Sequence, residues 1–151
     1  MSLQGDDVER VILLVEDNPD DMELTRIALQ DAGITAELAW VADGREALAY
    51  LQRQPPFEQA PRPDLVLLDL NLPQLDGRQL LQIVKGDPEL AQVPVVVLTT
   101  SVDDHDVRES YRAHANAFIS KPADFDSFVK ALQALHAFWF ATAVLPPHHD
   151  Y

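Results

Sequence analysis

Five polar residues carry the chemistry available to this sequence: Glu16, Asp17, Asp69, Thr99 and Lys121. Each lies at the end of a short apolar run. Glu16-Asp17 closes Val11–Val15, Asp69 closes Leu65–Leu68, Thr99 follows Val93–Leu98, and Lys121 follows Ala117–Ser120. Runs this short and aliphatic read as strands buried on both faces, the kind a parallel sheet needs. In a parallel sheet all five residues converge on one edge. Three carboxylates there repel one another: at an effective dielectric of about 20, a pair roughly 4 Å apart interacts by about 4 kcal/mol. A hard divalent cation relieves that repulsion. Mg²⁺ suits it best, because it takes oxygen ligands, keeps several waters and bridges to phosphate. Lys121 adds a second positive charge for an incoming anion, and Thr99 adds a hydroxyl donor. Together these parts serve phosphoryl transfer to an aspartate, with catalysis by positioning and charge neutralisation.

The elements that must hold these residues follow from the rest of the pattern. Asn18-Pro19 with Asp20-Asp21 is a helix-start signal, and Leu24, Ile27 and Ala28 repeat at helical spacing up to Gly33. Glu37 to Val41 is strand two, and Asp43-Gly44 turns into a helix carrying Ala47, Leu48 and Leu51. The segment 54–63 holds four prolines (55, 56, 61, 63) and is a loop. After Asp69, Pro73, Asp76 and Gly77 turn the chain into a third helix with Leu80, Leu81 and Val84, ended by Gly86-Asp87-Pro88. Asp103-Asp104 begin a fourth helix, and a last helix runs from about Asp124 towards Ala143. Strand and helix alternate five times. The expected architecture is α/β, with right-handed crossovers and helices on both faces of a parallel sheet. Residues 1–10 are expected to be a flexible amino terminus, 11–143 one domain, and 144–151 a tail.

Composition narrows the function. The chain has 151 residues, which suits one domain, and 47% hydrophobic content supports a core. Eleven Lys and Arg against 25 Asp and Glu give a net charge of −14. Such a chain is repelled by nucleic-acid phosphates and anionic membranes, so neither is expected as a partner. No cysteine is present, which excludes thiolate catalysis and Cys-based zinc sites. Met1 to Arg10 is polar and not a signal peptide, and the apolar stretch Ala137–Leu145 is too short to span a bilayer. The expected location is the cytoplasm. The five histidines (105, 114, 136, 148, 149) show no ligand spacing.

With these residues in place, the chain resembles a response-regulator receiver domain of two-component signalling, of the CheY-like kind. The resemblance rests on Glu16-Asp17, Asp69 through Gly77, Thr99, and Phe118-Ile-Ser-Lys121-Pro122, and spans about Val11 to Ala137. It implies a flavodoxin-like, doubly wound sheet of strand order 2-1-3-4-5. It implies Asp69 as phosphoacceptor, Asp17 and Asp69 as direct Mg²⁺ ligands with the Asn71 carbonyl, and Glu16 acting through water. Thr99 and Lys121 would bind the phosphoryl oxygens, and Phe118 would be the aromatic switch that follows Thr99. Thr100 sits where small residues guard the site. The Lys121–Pro122 bond is expected to be cis. Glu-Asp-Asn-Pro-Asp-Asp at 16–21, Leu-Thr-Thr-Ser at 98–101 and the aromatic end of the last helix are similar to stand-alone receivers paired with bacterial phytochrome histidine kinases. The partner implied is a sensor histidine kinase. No output domain follows in the sequence, so the response is expected to pass through a protein partner or a change of association, with a phosphate sink or relay intermediate as the alternative.

Competing readings are weaker. Asp17 could serve only to cap the first helix. A phosphatase with an aspartyl-phosphate intermediate needs an acid/base Asp two residues after the nucleophile, and Asn71 stands there, so no enzyme is expected. A flavodoxin-like FMN carrier needs a Ser/Thr/Gly-rich loop where residues 16–21 are acidic. The complete acidic set with Thr99 and Lys121 speaks against a degenerate scaffold. Trp40 and Tyr111 are read as packing residues, and neither Trp40 nor Trp139 is expected beside Asp69. In the last helix, Phe125, Phe128, Val129, Leu132, Leu135 and Trp139 share the sheet-facing stripe. Phe138, Trp139 and Phe140 on one turn point in three directions, more than one domain covers. Together with Leu145 they predict a homodimer through the last helix and tail.

Overall fold

The structure is a computed structural model that describes residues 10–70, 72, 75–99, 103–121 and 124–142, without the side chains of 141 and 142. Five strands, β1 (Val11–Val15), β2 (Glu37–Val41), β3 (Leu65–Leu68), β4 (Val95–Thr99) and β5 (Ala117–Ser120), form one parallel sheet of order β2-β1-β3-β4-β5. They alternate with α1 (Pro19–Asp31), α2 (Gly44–Leu51), α3 (Gly77–Gly86), α4 (Asp104–Arg112) and α5 (Phe125–His136).

The three central strands β1, β3 and β4 are buried along their whole length, which explains their unbroken aliphatic sequence. Successive side chains still serve different cores. Leu13, Val15, Val66, Leu68, Val95 and Val97 join α2 and α3 on one face, through Ala47, Leu51, Leu80, Leu81 and Val84. Ile12, Leu14, Leu65, Leu67, Val96 and Leu98 join α1 and α5 on the other, through Ala28, Leu29, Phe128, Leu132 and Leu135. The alternation is the period-two geometry of a strand expressed inside a three-layer sandwich.

The helix starts behave as their sequences direct. Asn18 caps α1, its side chain accepting from the Asp20 and Asp21 N–H groups at 2.8 and 3.2 Å. Asp17 therefore does not perform that capping role. Asp76 and Gln79 form a reciprocal capping box at α3. Two boundaries differ from expectation. β4 begins at Val95 rather than Val93, because Pro94 has no N–H to give to the ladder, and it extends to Thr99, which pairs with Ser120. The last helix is α-helical only to His136 and continues as a π-helical segment, Ala137–Thr142. Among the described residues, no helix is long and apolar enough to cross a membrane.

Candidate functional site

The site lies at the carboxyl ends of β1, β3, β4 and β5. Strand order reverses between β1 and β3, because β2 and β3 leave β1 on opposite sides. That crevice is where open α/β sheets bind ligands. Glu16 and Asp17 continue β1, and the Glu16 N–H donates to the Val41 carbonyl at 3.1 Å. Asp69 continues β3, and its N–H donates to the Val15 carbonyl at 3.1 Å. Backbone bonds thus fix the first and third acidic positions to neighbouring strands.

The carboxylates of Glu16, Asp17 and Asp69 each place one oxygen within 4.8 Å of the others. Their environments differ. Glu16 is buried, Asp17 is exposed, and the Asp69 side chain is 13% exposed. Lys121, at the end of β5, forms an ion pair with Glu16 at 2.7 Å and sits 3.9 Å from Asp69 Oδ2. Its N–H donates to the Thr99 carbonyl at 2.8 Å, which ties the lysine to β4. The buried Thr99 hydroxyl donates to Asp69 Oδ1 at 3.3 Å. Burial raises the Glu16 carboxyl above the ordinary range. The hydrogen bond and charge of Lys121 oppose that rise, and the charge of Asp69 adds to it. Three carboxylates and one ammonium leave two negative charges, so an all-oxygen donor set of this charge fits a divalent cation.

The loop after Asp69 runs between two helix starts that require glycine. A Cβ on Gly77 would lie 2.5 Å from the Asp69 carbonyl oxygen and 2.7 Å from the Leu70 Cα. The Gly77 N–H also donates to the Leu70 carbonyl at 3.0 Å. On the other side, a Cβ on Gly44 would lie 1.9 Å from the Leu75 carbonyl oxygen. The start of α3 therefore presses on the Asp69–Leu70 backbone, and the start of α2 presses on Leu75. Each glycine is needed for close approach.

The comparisons with known proteins agree with this geometry. The model of the response regulator receiver domain matches residues 12–133. The chain belongs to the response regulator receiver family. It is 44% identical over 137 residues to the response regulator Rcp1 of Synechocystis sp., covering 91% of this chain and 93% of Rcp1. The crystal structure of the phosphorylated cyanobacterial phytochrome response regulator RcpA superposes with a TM-score of 0.87 at 43% identity, over 93% of this chain and all of RcpA. The Mn²⁺-bound form of Rcp1 superposes with a TM-score of 0.84 at 44% identity, over 91% of this chain and 99% of that one. The likeness to phytochrome-linked receivers, read from three short motifs, is borne out, and so is the 2-1-3-4-5 sheet.

In this receiver, Glu16, Asp17, Asp69, Thr99 and Lys121 come together as expected. Phe118, three residues before Lys121 on β5, is half-buried and packs against the α2/α3 core. Asn71, Thr100, Pro122 and Leu145 lie outside the described residues, as do residues 1–9 and the tail.

Two expectations are corrected. Trp40 and Tyr111 do not serve simply as packing, being 39% and 50% exposed. Trp40 also reaches the backbone of the acidic site, where its Nε1–H donates to the Glu16 carbonyl at 2.7 Å. Finally, Phe138, Trp139 and Phe140 are not all left uncovered. Trp139 packs against the α1/α5 core, as its place in the sheet-facing stripe implies, and Phe140 does so too, meeting His136 edge-on and lying 6.0 Å below the Arg10 guanidinium. Only Phe138 of the three is largely exposed, at 54%. A π-helical turn directs Phe140 differently from a continuous α-helix. Sequence reasoning also missed the role of Gly44 in close packing. Its only sequence signal is the Asp-Gly pair, which marks a turn and says nothing about what lies against it.

Proposed function

We propose that this receiver accepts a phosphoryl group on Asp69 from the phosphohistidine of a sensor kinase, and thereby switches a protein-interaction surface. The observation that carries this is that Thr99 and Lys121, from two other strands, both converge on Asp69. Glu16 is committed to Lys121 and buried, and Asp17 faces solvent, so Asp69 is the carboxylate beside groups able to receive phosphoryl oxygens.

In the transfer, an Asp69 carboxylate oxygen forms a bond to phosphorus as the bond from phosphorus to the donor's imidazole nitrogen breaks. The imidazole regains a proton from solvent. Lys121 and Thr99 then hold the new phosphoryl oxygens by a charge and a hydroxyl donor. Asp17 and Asp69, with Glu16 behind them, would hold Mg²⁺, which supplies positive charge against the developing negative charge. The Mn²⁺-bound form of Rcp1 supports a divalent cation at such a site.

Movement of Thr99 towards the phosphoryl group would leave room for Phe118 to turn inward, which is the proposed route to the surface. The chain is a signalling domain and not an enzyme in this reading. The kinase is of the bacterial phytochrome class, supported by the likeness to RcpA and Rcp1. Self-association through the exposed Phe138 is the proposed second consequence, checked by the molecular mass in solution at micromolar concentration.

Incubation with Mg²⁺ and a small phosphodonor tests the main proposal. The expected product is an acid-stable, base-labile phosphoryl group, absent in Asp69→Asn. Equal labelling of Asp69→Asn sinks it.

A further inference from the structure

Trp40 lies on the edge strand β2, and the sheet registers it against Leu14. Its hydrogen bond nevertheless goes to the carbonyl of Glu16, two residues further along β1. At about 3.3 Å of rise per residue, Glu16 lies roughly 7 Å along the strand direction from Leu14, an offset that the leaning indole and its 2.7 Å hydrogen bond span together. Trp40 remains 39% exposed in doing so, which is a poor arrangement for burying apolar surface. The hydrogen bond explains the arrangement better than packing does.

The carbonyl in question belongs to the peptide joining Glu16 to Asp17. That peptide lies just past Val15, the last residue of β1. On its amino side, the Glu16 N–H is held by Val41. On its carboxyl side, Asn18 is held by the start of α1. The Trp40 indole holds the carbonyl between them. Two of the three carboxylates in the cluster hang from this one peptide unit, so its orientation sets where Asp17 stands relative to Asp69.

We infer that Trp40 is a positioning residue of the acidic site, its indole N–H holding the Glu16–Asp17 peptide in the orientation that lets Asp17 and Asp69 share one cation. The inference rests on the reading of this cluster as a divalent-cation site. The same bond makes the indole a reporter of the site, because a cation that draws Asp17 towards Asp69 pulls on the carbonyl that Trp40 holds.

The test uses the full chain and Trp40→Phe, which keeps an aromatic ring and removes the donor. Mn²⁺ is titrated into each protein and the free ion is read by its electron paramagnetic resonance signal. Loss of an outer-shell partner typically weakens metal binding about 10- to 100-fold. Trp40→Phe is expected to raise the Mn²⁺ Kd about tenfold while circular dichroism shows it fully folded at the titration temperature. In a Trp139→Phe background, which leaves Trp40 as the only indole, saturation with diamagnetic Mg²⁺ is expected to shift the emission. A Kd within about twofold of wild type overturns the inference. So does a loss of affinity that appears only in step with loss of folded protein, or an emission unchanged at saturating Mg²⁺. Absence of Mn²⁺ binding by the wild type overturns the metal-site reading as well, whereas normal wild-type binding with an unaffected Trp40→Phe overturns this inference alone.

Discussion

Gly77→Ala should disable the site from behind. The added Cβ would sit 2.5 Å from the carbonyl oxygen of Asp69 and 2.7 Å from the Leu70 Cα. Both neighbours are backbone, so no flexible side chain can yield. Restoring ordinary contact requires the Asp69–Leu70 segment or the start of α3 to retreat by nearly 1 Å, about the misplacement that costs a positioned reaction 10²-fold. The stability cost should be more modest. Overpacking of this kind typically costs about 1–3 kcal/mol, partly offset by alanine's better helix propensity.

The same substitution at the other end of α3 is an internal control. A Cβ on Gly86 meets nothing within 4 Å, so Gly86→Ala should be neutral or slightly stabilising. The assay is the initial rate of Mg²⁺-dependent labelling by a small phosphodonor, alongside thermal melting. The expected result is a drop of about 100-fold in labelling for Gly77→Ala, at a temperature where the variant is folded, and near-normal labelling for Gly86→Ala. Wild-type labelling by Gly77→Ala would refute the argument that α3 presses on the phosphoacceptor segment.

Lys121→Met leaves the buried Glu16 without its cation and should cost roughly 3 kcal/mol near neutral pH, read by denaturant unfolding. Because burial raises the Glu16 carboxyl, the native state binds the proton more tightly than the unfolded chain between their two pKa values. The Glu16 contribution to stability therefore falls as pH rises through that window, and the Lys121→Met defect should shrink as pH is lowered into it. Protonation of Glu16 also removes negative charge from the cluster, so Mg²⁺ affinity measured by calorimetry should weaken over the same pH fall. Away from the site, Lys85 donates to the Ala91 and Val93 carbonyls at 2.9 and 2.8 Å, joining the end of α3 to the turn before β4. Lys85→Met should lower stability by about 1–3 kcal/mol while leaving labelling intact. Thr99→Ser keeps the hydroxyl that reaches Asp69 and should label faster than Thr99→Ala at saturating phosphodonor.

The fold was legible because its signals are local and agree. Unbroken aliphatic runs marked β1, β3 and β4, and caps such as Asn18 and Asp76 marked helix starts. The site was legible because parallel strands bring all their carboxyl ends to one edge, so Glu16, Asp69, Thr99 and Lys121 needed only their strand-end positions to be grouped. What escaped depended on side-chain reach and backbone approach, which have no period. Trp40 on an edge strand looks the same in sequence whether it packs on a core or leans towards Glu16. Gly44 reads as a turn residue, yet its absent Cβ makes room for the Leu75 carbonyl. Phe140 falls off the sheet-facing stripe of an α-helix, yet packs on the core because the backbone adopts a π turn there.

The central claim is that Asp69, and neither of the neighbouring carboxylates, takes the phosphoryl group. Borohydride reduction of the protein after treatment with Mg²⁺ and a phosphodonor converts an acyl phosphate to an alcohol, and peptide mass spectrometry then locates it. The account predicts a single reduced site at Asp69. Reduction at Glu16 or Asp17, or at no carboxylate in this cluster, would contradict it.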